Sequence, residues 1–146
     1  MELDFAFLAD SGEVTGGKIY VLGGAVDTVW TEVLPMVVPR MTLVMRFLAT
    51  PAEAGRKHAV EIVVIDADGK KTASVGGEMA IERPPGLPMG MKHSLPLALN
   101  FFNMKFERSG AYSIEILVNG SSMKSLPLRI FEKPKQRPGS SPPTGF

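Results

Sequence analysis

Cysteine is absent from the 146 residues of this sequence. Its absence excludes disulfide bonds, thiolate metal sites and cysteine nucleophiles. An excess of one charge sign is also missing, because 16 lysines and arginines stand against 15 aspartates and glutamates and leave a net charge of +1. A chain with so little net charge has no strong attraction for phosphate backbones, so we expect no nucleic-acid partner.

Long hydrophobic runs are missing as well. No apolar stretch approaches the roughly 20 residues that a membrane-spanning helix requires. The opening residues MELDFAFLAD carry acids where a secretory signal carries positive charge. We therefore expect a cytoplasmic protein with no membrane partner.

Motifs of known enzymes are missing too. The sequence holds no Gly-x-Ser-x-Gly elbow and no His-Glu-x-x-His motif, and its two histidines, His58 and His93, lack ligand spacing. Residues 12–19 have the glycine and lysine spacing of a phosphate-binding loop, but Ile19 stands where that motif needs a hydroxyl. We therefore expect a non-enzymatic protein without a cofactor. A hydrolase with an unrecognised site is the second alternative.

The clearest pattern that is present predicts a β-hairpin. Apolar side chains recur at every second position from Tyr112 to Val118, the dipeptide Asn119-Gly120 follows, and a second apolar run ends at Ile130. Asn-Gly favours a type I′ turn because both central residues need positive φ. A two-stranded hairpin cannot bury its own apolar face, so we expect a second layer of sheet to cover it.

The same alternation predicts strands through most of the chain. We expect the odd-numbered residues from Leu3 to Phe7, which include Phe5, to share the inner face of a first strand. Gly23-Gly24 interrupts a β-rich run over residues 18–30, and paired glycines predict a bend there. The run would then begin in one sheet and finish in the other, with Trp30 as a core anchor.

These patterns predict an all-β fold, namely an antiparallel immunoglobulin-like β-sandwich of about seven to eight strands. Thr50, Pro51 and Glu53 have the spacing of a capping box, which predicts one short helical turn. The sandwich domain should occupy residues 1–132. Residues 133–146 are rich in Pro, Gly and Ser and should form a disordered or extended tail.

Two segments without regular patterning are candidates for partner binding. Four prolines and two glycines within residues 83–96 predict a long surface loop, and such loops are often functional. Methionine adapts to irregular surfaces, so an apolar loop rim is a candidate contact site. Alternatively, the side chains of Met89, Met91, Met104, Phe101 and Phe102 tuck under the loop and complete the core. The candidate partner-binding residues of the loop, the next strand and the tail are Leu87, Met89, Met91, Lys92, His93, Phe102, Lys133, Lys135 and Arg137.

Acidic residues near strand ends are weaker candidates for a metal site. Asp27, Asp66 and Asp68 could converge on a calcium-binding rim, because calcium takes carboxylate oxygens. Alternatively, residues 66–69 form an ordinary hairpin turn, since turns favour Asp and Gly for local reasons. A small-ligand or calcium-binding sandwich is therefore the first alternative function.

Taken whole, the sequence resembles a family of short uncharacterised bacterial proteins. The resemblance rests on MELDFAFLAD, GKIYVLGGAVDTVW, GAYSIEILVNG and SLPLRI, and it covers about residues 1–131. It implies no catalytic residues, since the family has no assigned activity. More loosely, GAYSIEILVNG followed by PLRI is similar to the last hairpin of immunoglobulin-like domains, with Tyr112 as a core or corner tyrosine.

These observations together predict a protein-interaction or assembly module of a bacterial cytoplasmic system. It would bind a protein partner or its own copies through edge strands, the loop or the tail.

Overall fold

A computed structural model describes residues 1–134, most of which lie in nine β-strands. The elements are β1 (Glu2–Thr15), β2 (Lys18–Val26), β3 (Thr28–Thr31), β4 (Met36–Ala49), a 3₁₀ turn (Pro51–Glu53), β5 (Lys57–Ile65), β6 (Lys71–Ala80), β7 (His93–Phe106), β8 (Gly110–Val118) and β9 (Ser121–Glu132). A four-stranded sheet has the order β2-β1-β4-β7, and a five-stranded sheet has the order β3-β9-β8-β5-β6. The prediction of an all-β, two-sheet fold with one short helical turn is confirmed. Between residues 1 and 134 no helix is long and apolar enough to cross a membrane.

The core lies between the two sheets and follows the period-two pattern of the strands. Leu43, Met45 and Phe47 of β4 are fully buried from one side, and Ile114 and Ile116 of β8 meet them from the other. Successive side chains of a strand point to opposite faces, so every second residue reaches this core. Burial of each such side chain contributes roughly 1.5–3 kcal/mol relative to exposure.

The run over residues 18–30 divides into two strands, which raises the strand count to nine. β2 pairs with β1 in the four-stranded sheet, whereas β3 pairs in parallel with β9 in the five-stranded sheet. Gly23 and Ala25 have φ values of 63° and 62°, and the pairing of β1 with β2 shifts register beside them. Asp27 lies at the crossing, where its carbonyl oxygen accepts the N–H of Arg129 at 2.8 Å. The predicted switch between sheets is confirmed.

A bulge in β1 changes which of its side chains face the core. The register of β1 against β4 shifts between Leu3 and Phe5, and beyond the shift Ala6 and Leu8 face the core. One extra residue in a strand transfers the following side chains to the opposite face. The prediction for Phe5 and Phe7 is therefore wrong, and their rings stack on the outer face with centroids 6.0 Å apart.

Trp30 is not a core anchor. The parallel register pairs Trp30 with Phe131, while the adjacent residues Val29 and Ile130 pack into the core. Alternation then places Trp30 on the outer face of the five-stranded sheet, where it is 54% exposed. The prediction is wrong because the pairing with β9, which is distant in sequence, selects the face.

The β8–β9 hairpin has the predicted geometry. Asn119 and Gly120 have φ values of 50° and 81°, both positive as a type I′ turn requires. At the other end of β8 the Tyr112 hydroxyl donates a hydrogen bond to the carbonyl oxygen of Arg108 at 2.7 Å. A tyrosine near the start of a strand that bonds back to the preceding corner is also found in immunoglobulin domains.

Candidate functional site

The connection between β6 and β7 spans residues 81–92. The loop predicted over residues 83–96 is therefore too long at its C-terminal end, because residues 93–96 pair with β4, and Pro96 is tolerated there in an edge strand. The Arg83 guanidinium donates to the carbonyl oxygens of Leu87 at 2.8 Å and Pro88 at 2.5 Å, which fixes the loop's turn. Met89 is 92% exposed and Met91 is 53% exposed. These two side chains therefore do not complete the core, whereas Phe101 and Met104 of β7 do pack against it.

The residues that lead from the loop into β7 differ in exposure. The Lys92 ammonium lies 3.1 Å from a Glu2 carboxylate oxygen in an exposed ion pair. His93 pairs with Ala49 of β4 and is only 6% exposed. Its Nε2 atom is buried without a hydrogen-bond partner. Burial removes His93 from the predicted contact surface, because its ring cannot reach a partner.

Phe102 lies far along β7 from the loop. Nine residues separate it from His93, which corresponds to about 30 Å in an extended strand. Phe102 is 64% exposed, and the Arg40 guanidinium carbon lies 6.0 Å from its ring centroid. The structure therefore does not bring Phe102 together with the loop methionines.

Lys133 lies at the other end of the sandwich. Its N–H donates to the carbonyl oxygen of Thr31 at 2.7 Å, beyond the end of β9. That end of β9 adjoins Gly110 at the start of β8, whereas the loop lies at the end that holds the 3₁₀ turn. Lys135 and Arg137 lie outside the described residues.

The acidic candidates do not converge on one rim. The Asp66 carboxylate accepts the N–H groups of Asp68 and Lys70 at 3.0 Å and 2.9 Å, as in an ordinary turn. The Arg108 guanidinium lies 3.5 Å from Asp68 and 4.0 Å from Asp66. Asp27 adjoins β3, three strand spacings or about 14 Å from β5. Within residues 1–134 no group of three His, Cys, Asp or Glu side chains could hold a metal ion.

A compact hydrogen-bond network closes the end of the sandwich near the loop. The ring nitrogens of His58 lie 3.2 Å from the Glu53 carbonyl oxygen and 3.1 Å from the Asn119 side-chain amide. The Glu53 carboxylate pairs with the amino group of Met1 and accepts from the backbone and hydroxyl of Thr50. The hydrogen bond from the Met1 ammonium, aided by Thr50, lowers the pKa of Glu53 from 4.5 to about 2. These contacts anchor the connection between β4 and β5.

One long side of the sandwich carries an uncovered groove, which we call the side groove. It lies between β6 and β7, the edge strands of the two sheets, and has a volume of about 300 Å³. Residues 72–75 of β6 and 101–106 of β7 form its walls, with Ile62 and Val64 of β5 between them. Lys105 is the one titratable residue in this lining, and most of the other lining side chains are apolar.

The burial of β6 shows that a layer is missing opposite it. Val75 pairs with Ile62 and Ala73 pairs with Val64, so Val75 and Ala73 share the face of two core residues. Nevertheless Val75 is 48% exposed, whereas Ile62 is 2% exposed. The five-stranded sheet therefore extends past β7 by about one strand, and nothing within residues 1–134 covers the overhang.

The free edge of β7 has backbone groups available for pairing. β7 pairs with β4 on one side only. Pro96 has no N–H to donate, and proline within a strand is found where that position faces away from the ladder. Because backbone direction alternates along a strand, Ala98, Asn100 and Phe102 also direct their N–H and C=O groups to the free edge.

Sequence reasoning singled out Phe101, Phe102 and Met104 but missed the rest of the side groove. The inward positions of β6 are Ala73, Val75, Gly77 and Met79, and of these only Met79 packs against the core. Ala73 and Gly77 are smaller than their inward neighbours Val64 and Val60 in β5. That weak apolar row was the one available signal of an uncovered strand. It could not be interpreted without the sheet order, because small residues also occur in buried strands.

The matches to known proteins concern the family alone. The family model described as a family of unknown function (DUF6941) matches residues 4–131, which includes nearly all of the sandwich. No curated protein matches the sequence. The predicted resemblance to an uncharacterised family is confirmed. The chain therefore belongs to the family of unknown function DUF6941.

Proposed function

We propose that this protein is a non-enzymatic interaction module that takes up an extended segment of a partner protein as an added strand beside β7. The observation that carries the proposal is the 48% exposure of Val75 on a face that is otherwise core. A strand added to β7 would lie under the overhang of β6 and cover Val75. Strand addition is a recurrent mode of peptide recognition, in which backbone hydrogen bonds supply affinity and pockets for alternate side chains supply specificity.

Only a short part of the free edge of β7, residues 98–102, is suited to pairing with another strand. Natural edge strands are protected by proline, by irregular backbone and by lysine. Pro96 precedes residues 98–102, while Asn103, with a φ of 55°, and Lys105 follow them. The window between these protective features leaves three residues whose backbone groups face outward, which matches a short extended ligand.

The width of the side groove favours one segment of a partner over a second whole copy. If the β7 edges of two copies paired directly, the overhanging β6 of each copy would collide with the other copy. A single strand avoids that collision, because it fills about one strand spacing, roughly 4.8 Å. Self-association is therefore an outcome that the experiment below must distinguish.

An immunoglobulin-like relationship and a bacterial cytoplasmic setting are parts of the proposal. The first is supported by the two packed sheets and by the hydrogen bond from Tyr112 to the Arg108 carbonyl oxygen. The disulfide of antibody domains has no counterpart, since the chain has no cysteine.

Proline at position 98 tests the strand-addition proposal. Ala98→Pro removes an outward N–H without breaking the pairing with β4, so the variant should fold and lose the partner. Ser94→Pro has the same backbone direction outside the window and serves as the matched control. Affinity retrieval from lysate, with thermal melting of each variant, should show a partner that wild type and Ser94→Pro retain and Ala98→Pro loses. A wild-type monomer in light scattering that retrieves nothing contradicts the proposal.

The calcium-binding alternative predicts a different result. A cation site built on Asp66 and Asp68 would raise the melting temperature in excess calcium, because a ligand that binds only the folded state stabilises it. We expect no shift, since Arg108 already lies between the two carboxylates. Thermal melts with calcium and with chelator check this expectation, and a calcium-dependent rise would favour the alternative.

A further inference from the structure

A second apolar surface lies at the opposite edge of the five-stranded sheet. The rings of Trp30 and Phe131 meet there with centroids 5.4 Å apart and planes at 47°. Trp30 is 54% exposed and Phe131 is 36% exposed. We call these two residues the edge aromatic pair. Exposed aromatic side chains present large apolar area at low entropic cost, which makes them effective binding surfaces.

Negative charge surrounds the edge aromatic pair. Asp27 and Glu32 flank β3, and Glu132 follows Phe131 directly. All three are exposed, and none forms an ion pair within residues 1–134. Arg129 and Lys133 are the cations of this surface, so the three acids exceed them by one. The surface therefore favours a cationic ligand with apolar groups.

The chain itself supplies a segment with that chemistry. Residues 135–146 read KQRPGSSPPTGF, with two cations, three prolines and a terminal phenylalanine. They follow Lys133, whose N–H bonds to the residue next to Trp30 at 2.7 Å. At most about 3.3 Å per residue, twelve residues reach about 40 Å, so they can return to the pair.

We propose that the edge aromatic pair binds the chain's own residues 135–146, with prolines on the rings and cations beside the acids. Proline-rich segments dock on aromatic surfaces because their backbone is already restricted before binding. Attachment close to the surface raises the effective concentration of the segment, so weak contacts are sufficient. This inference is independent of strand addition at the side groove, which lies at the other edge of the sandwich.

Trp30 reports directly on this contact because it is the only tryptophan of the protein. Acrylamide quenching and the emission maximum are measured on the full chain and on two double variants. Pro142→Ser with Pro143→Ser removes ring contacts, and Lys135→Glu with Arg137→Glu reverses the charge. Each should raise the quenching constant and move emission to longer wavelength. Ser141→Ala is the matched control and should behave as wild type, while high salt should partly expose Trp30 in wild type.

Three results would overturn the inference. In the first, wild type and both double variants have the same quenching constant, which means that the segment does not cover Trp30. In the second, protection of Trp30 increases with protein concentration, which means that the occupant comes from a second copy. Trp30→Leu provides a separate check by NMR, since its loss should change the amide shifts of residues 135–146, and unchanged shifts would also contradict the contact.

Discussion

Strands β6 and β8 flank the same strand, β5, and yet they differ completely in burial. Both pair antiparallel with β5. In β8 the inward residues Tyr112, Ile114, Ile116 and Val118 are at most 7% exposed, whereas β6 contributes no buried residue. Hydrogen bonding in the sheet therefore does not decide burial. Burial is decided by the opposite sheet. β8 lies across the core from β4 and its neighbours, whereas β6 extends beyond β7 and has no strand opposite it within residues 1–134.

The largest expected difference is between a charge placed in β8 and one placed in β6. Ile114→Asp buries a carboxylate without a partner at a position that is 1% exposed, so we expect a loss above about 4 kcal/mol and an unfolded domain. Circular dichroism and urea titration measure it. A folded Ile114→Asp variant would contradict the assigned core.

The hydroxyl of Tyr112 allows the contribution of one hydrogen bond in β8 to be measured separately. Tyr112→Phe keeps the ring, which packs edge-on against Phe106 at 5.0 Å, and removes the bond to the Arg108 carbonyl oxygen. We expect a loss of about 1–2 kcal/mol, since a carbonyl acceptor loses its partner. Urea titration of this variant checks the value, and an unchanged midpoint would show that the contact does not stabilise the corner.

Acid should weaken the contacts of Glu53 that anchor the connection between β4 and β5. β5 is the strand that pairs with both β6 and β8. The pKa of Glu53 is lowered to about 2 in the folded protein by the Met1 ammonium and Thr50, so its stabilisation is present above pH 4.5. That stabilisation is lost as the pH falls from 4.5 toward 2. Glu53→Gln should cost roughly 1–2 kcal/mol at pH 7 because the carboxylate is partly solvent-exposed. Urea titrations between pH 4.5 and 2 should show that the free energy of unfolding falls less in Glu53→Gln than in wild type. An equal fall in both proteins would contradict the assigned pKa of Glu53.

The smallest expected effect on stability comes from the counterpart substitution in β6. Val75→Asp introduces the same charge as Ile114→Asp on the same sheet face, but at a residue that is 48% exposed. We expect a change within about 0.5 kcal/mol, together with loss of the partner that wild type retrieves. Urea titration and retrieval are measured together. A strongly destabilised Val75→Asp variant would mean that the side groove is covered in solution.

Local signals predicted much of this fold. Asn119-Gly120 and the alternation before it require only neighbours in sequence, and so does the bend at Gly23-Gly24. Phe5 and Trp30 were assigned to the wrong face because a bulge and a parallel register, both set by distant strands, decide their direction. The side groove was missed for the same reason, since it depends on which strands lack a neighbour.

Hydrogen exchange of the isolated protein tests the open edge of β7 most directly. We predict that the amide protons of Ala98, Asn100 and Phe102 exchange fast, while those of Leu97 and Leu99, which bond to β4, are protected. Addition of the partner should then protect the three outward amides. Strong protection of Ala98, Asn100 and Phe102 in the isolated monomer would show that the edge is already paired, and would contradict strand addition as the function.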